Sequence, residues 1–87
     1  MPLYIAEHIL AGLTLQQVLA AQRAAMEVSQ RFTAAGKPVR YIRTTFVPSE
    51  SHCMSVFEAS SAKVVQEVNE AAQLPFTRII EALDVLP

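Results

Sequence analysis

The sequence predicts an α+β domain of ferredoxin-like topology, β-α-β-β-α-β, with a four-stranded antiparallel sheet and two helices on one face. Two observations carry this. Two capped amphipathic helical stretches each follow a run of β-formers, and a polar break, Pro48-Ser49-Glu50-Ser51, splits the β-rich middle into a hairpin. Right-handed crossovers then leave the split βαβ arrangement.

Residues 2–10 are apolar, with the β-formers Tyr4, Ile5 and Ile9, and form the first strand. After the turn at Ala11-Gly12-Leu13, Thr14 and Gln17 match the S/T-x-x-E/Q capping box. The first helix then carries Leu15, Val18, Leu19, Met26 and Phe32 at helical spacing, with Gln22, Ala25 and Ser29 in the same stripe. Gly36 and Pro38 stop it. Residues 39–47 are the second strand and residues 53–58 the third. Ser60 or Ser61 caps the second helix, whose apolar face is Val64, Val65, Val68, Ala71 and Ala72. Leu74-Pro75 ends it, and residues 78–85 are the last strand.

The chain reads as one domain over residues 1–87, and 52% of those residues are hydrophobic. Chains of this size bury only about 60–65% of their unfolded surface. Both faces of the first strand are apolar: Leu3, Ile5 and Ile9 on one, Tyr4, Ala6 and Leu10 on the other. A sheet covered on one side alternates more cleanly than this. The expectation is a homodimer packed sheet to sheet, a dimeric α+β barrel.

A net charge of −1 gives no basic stripe for nucleic acid. No apolar run reaches the ~20 residues of a membrane span, and the start MPLYIAEHIL lacks the basic region of a signal peptide. A single cysteine forms no internal disulfide and fits a reducing cytosol. The expected location is cytoplasmic.

The polar residues among apolar strand positions mark where chemistry can sit. Glu7 alternates with Leu3, Ile5 and Ile9, and Glu81 lies between Ile79 and Leu83; Arg43 stands on the second strand. A buried carboxylate needs a cation, a metal or a proton. Such a carboxylate reads either as half of a structural Glu–Arg pair or as the wall of a ligand or metal cavity. His52 and Cys53 are adjacent and so point to opposite faces, as do Glu7 and His8, which argues against either pair as a dyad. Cys53 is expected to pack as a small hydrophobe, His52 to be solvated, and Met26 and Met54 to lie in the core. No close-spaced ligand motif occurs, so a metal site must be assembled across strands or subunits from donors such as His8, His52, Cys53, Glu7, Glu58 and Glu81.

The segments LYIAEHILAGLT, CMSVFEASSAKVV and AAQLP resemble a small bacterial ferredoxin-like family of unknown function that includes a nickel-binding actinobacterial protein. The resemblance spans nearly the whole chain. It rests most on Glu7, Gly12-Leu13-Thr14, Cys53, Phe57-Glu58-Ala59 and Leu74-Pro75. It implies a dimeric α+β barrel. Relatives often carry a histidine in the middle of the second helix, where this chain has Val68, and a proline where it has Ser60.

The leading expectation is a homodimeric protein that binds a small ligand or a divalent transition metal such as nickel, without established catalysis. Glu7, His8, Cys53 and Glu58 are the candidate metal ligands. One alternative is a cofactor-independent barrel enzyme, monooxygenase- or isomerase-like, with Tyr4, His8, Arg43 and Glu58 around a small organic molecule. The other is an interaction module that uses the sheet face.

Overall fold

The computed structural model describes residues 1–87. The element order is β1 (Leu3–Ile9), α1 (Leu15–Ala34), β2 (Val39–Val47), a 3-10 turn (Pro48–Glu50), β3 (His52–Ala59), α2 (Ala62–Ala71) and β4 (Arg78–Ala82). The sheet runs β2-β3-β1-β4 and every pairing is antiparallel. This is the topology the sequence predicts.

Local chemistry sets the boundaries. Thr14 Oγ1 accepts from the Gln17 amide at 3.2 Å while Gln17 Oε1 accepts from the Thr14 amide at 2.9 Å, so the capping box is complete. Gly36, at φ +89°, ends α1: the Lys37 amide bonds the Phe32 carbonyl and the Gly36 amide the Thr33 carbonyl. Ser61 is the cap of α2. That helix ends in the same double-bonded fashion, but its left-handed residue is Gln73 (φ +58°).

The strand register separates two faces. Tyr4, Ala6 and His8 of β1 lie beside Phe57, Ser55 and Cys53 of β3 and face the helices. Leu3, Ile5, Glu7 and Ile9 share the other, open face with Glu58, Val56, Met54 and His52. The core forms where Tyr4, Ala6, Val39, Phe57 and Ala59 meet Ala25 and Val28 of α1 and Val65 and Val68 of α2. Tyr41 packs edge-on against Phe57, with ring centroids 5.6 Å apart.

Three expectations change. The buried stripe of α1 is Val18, Ala25, Val28 and Ser29, and Leu15, Leu19 and Met26 are exposed. Leu19 and Met26 each follow a buried residue, and one step turns a side chain about 100° round the helix. β4 stops at Ala82 rather than Val85. Ala82 pairs with Leu3, the first residue of β1, and the preceding Pro2 has no amide to extend the ladder. Leu83 is therefore off the sheet and 82% exposed, and Glu81 is exposed on the edge strand rather than buried among apolar neighbours.

Candidate functional site

The open face carries a diagonal apolar band, Leu3, Ile5, Met54, Val56 and Ile80, bordered by charge. At one end Glu7 pairs with Arg78, its register partner on β4, and stands diagonal to His52 on β3. Glu7 Oε2 lies 3.4 Å from His52 Nε2. Both side chains are largely covered, at 14% and 17% exposure. His52 Nε2 is buried and makes no hydrogen bond of acceptable geometry. His52 is thus not the solvated residue expected at a hairpin end. The hydrogen bond from Arg78 holds the Glu7 carboxyl below the usual carboxylate range, against a burial effect of opposite sign; the nearby Arg78 and His52 charges act with it.

At the other end Arg40 pairs with Glu58 at 3.4 Å. Arg43 reaches Asp84 at 3.8 Å. Arg43 stands on β2 and Asp84 follows β4, at opposite edges of the sheet, so this pair spans the open face above Val56, which is 7% exposed without a helix over it. The Glu–Arg pairing of Glu7 is realised with Arg78, while Arg43 takes Asp84.

The four candidate metal ligands divide between the faces. Glu7 and Glu58 lie on the open face, near opposite ends of β1, and Glu58 is engaged by Arg40. His8 and Cys53 lie on the helix face as direct register partners. The period of two along a strand enforces this split. No three His, Cys, Asp or Glu side chains converge on a point within the chain. Val68, at the position of the relatives' helix histidine, is fully buried in the core and offers no donor.

His8 and Cys53 border a cavity of about 150 Å³ between the sheet and the first half of α1. Its apolar wall includes Leu13, Val18, Ala21 and Leu74; Thr44 and Ser55 add hydroxyls. His8 Nδ1 lies 2.6 Å from the Pro75 carbonyl, which can only accept, so Nδ1 carries the proton and Nε2 of the neutral ring is bare. Burial lowers the His8 pKa below its ordinary 6.5, partly countered by the Pro75 bond. Burial pushes the Cys53 thiol above its ordinary 9.0, so it stays protonated at neutral pH.

The Glu7–His52 contact is what sequence reasoning missed. The signal for it was present: in an antiparallel hairpin of known register, a residue and its diagonal neighbour on the next strand share a face. The β1–β3 register, however, is fixed by a long crossover through α1 and β2, which sequence spacing leaves open.

No curated protein sequence matches the chain at a significant level. Among solved structures it is similar to the crystal structure of SCO4226 from Streptomyces coelicolor A3(2), with a TM-score of 0.78 and 23% identity over 95% of this chain and 99% of that one. That likeness confirms the fold. The family model described as "Nickel responsive protein SCO4226-like" matches residues 4–82. The chain therefore belongs to the SCO4226-like family of nickel responsive proteins.

Proposed function

We propose that this protein binds nickel, or a divalent transition metal of similar preference, as a homodimer joined through the open sheet face. The observation that carries the reading is the approach of Glu7 Oε2 to the buried, unbonded Nε2 of His52. A carboxylate oxygen and an imidazole nitrogen that face each other in this way can share a proton or hold a metal ion between them. Imidazole with carboxylate suits a borderline divalent ion such as nickel.

One chain supplies two donors, which is half a site. A twofold axis passing near Glu7 doubles them, because an isologous interface presents each residue twice. Ile9, 62% exposed, and Ile80 give that face apolar surface to bury. Arg78 occupies the same carboxylate and competes with the metal. Of the four ligands expected from sequence, Glu7 keeps this role, and His52 replaces the others beside it.

The test is a nickel titration of the purified, metal-free protein by calorimetry. Saturation at one nickel per two chains, lost in Glu7→Gln and in His52→Ala, is the expected outcome. Binding unchanged in both variants would rule out this site.

A further inference from the structure

We propose that the cavity between α1 and the sheet is a second binding site, separate from the metal reading, and that it takes a neutral, ring-sized molecule bearing a hydroxyl group. About 150 Å³ matches the volume at which an apolar protein cavity accepts benzene. No lysine, arginine, aspartate or glutamate lines the cavity. An ionised ligand would lose its hydration there with no countercharge to replace it.

Tyr41, Thr44 and Ser55 form a chain of hydroxyls, 2.6 Å and 2.9 Å between successive oxygens. Three hydroxyls hold three protons and share two bonds, so one proton is left over; with the more acidic Tyr41 phenol donating to Thr44 and Thr44 to Ser55, it lies on Ser55. Ser55 is the end at the cavity wall, and Tyr41 lies away from it. His8 borders the same space with its Nδ1 proton committed to Pro75. The cavity wall thus carries two hydroxyls and an imidazole, complementary to a group that both accepts and donates. Leu10, Gln17 and Pro75 border the cavity and are solvent-exposed, which provides a route of entry.

Phenol is the probe, with benzene as the comparison, in an NMR titration of the intact protein. Phenol is expected to bind saturably and about tenfold more tightly than benzene, the worth of one good hydrogen bond. Ala21→Leu, which fills the cavity, is expected to abolish binding. In the unaltered protein, saturating phenol is expected to slow alkylation of Cys53, a readout that needs no variant. Absence of saturation, equal affinity for benzene, or an unchanged Cys53 alkylation rate at saturation would overturn the proposal. None of these readouts involves nickel, so the metal reading stands or falls separately.

Discussion

His8 and Glu7 are neighbours on β1, yet His8 stands opposite Cys53 on the helix face while Glu7 reaches His52 on the open face. One strand therefore feeds two chemically different environments. The neutral cavity lies on one side and the charged cluster on the other.

Competition at Glu7 gives the first prediction. Arg78 neutralises the carboxylate that the metal would use. Arg78→Ala is expected to tighten nickel binding in calorimetry, and Arg78→Lys to leave it nearer the parent value.

The dimer face gives the second. Ile80→Lys places a charge in the apolar band of the open face and is expected to shift the protein to monomers in sedimentation velocity. Leu19→Lys, on the exposed side of α1, is expected to leave the association state unchanged.

The third prediction concerns pH. The Glu7 carboxyl is lowered in the folded state, so its contribution is fully present above the ordinary value of 4.5 and is lost as pH falls through the folded value. The His8 pKa is also lowered, so the unfolded chain takes up its proton first. That contribution is complete above about 6.5 and declines as pH falls below it. Denaturant midpoints measured across this range are expected to fall in two stages. Glu7→Gln should flatten the more acidic one and His8→Gln the other.

Cys53 supplies the fourth. A buried thiol with a raised pKa presents little thiolate. Its reaction with a disulfide reagent at pH 8 is expected to be slow in the native protein and to become fast in denaturant.

Helix termination and core packing supply the fifth. Gln73 holds a left-handed conformation that costs a side chain about 1–2 kcal/mol, and glycine returns part of this as chain entropy. Gln73→Gly is expected to stabilise by about 0.5–1 kcal/mol in urea unfolding. Phe57→Ala, at the buried centre of the sheet, is expected to cost about 3–5 kcal/mol.

The fold was legible because its signals are local. Thr14 with Gln17, Gly36, and Ser61 with Val64 each mark a boundary through bonds spanning a few residues. The faces of Glu7, His8 and Cys53 followed from strand alternation alone. What was not legible depends on long-range register. Arg78 meets Glu7 across 71 positions, and Arg43 meets Asp84 although they belong to opposite edges of the sheet. The exposure of Leu19 and Met26 was hidden because an apolar stripe on α1 shows its width in sequence but not which edge faces the sheet.

The proposed nickel site requires two open faces to join with Glu7 and His52 at their junction. Sedimentation velocity of metal-free and nickel-loaded protein, with bound nickel counted in the same fractions, tests it most directly. A dimer holding one nickel per pair of chains is the expected result. A monomer at micromolar concentration that retains no nickel would contradict it.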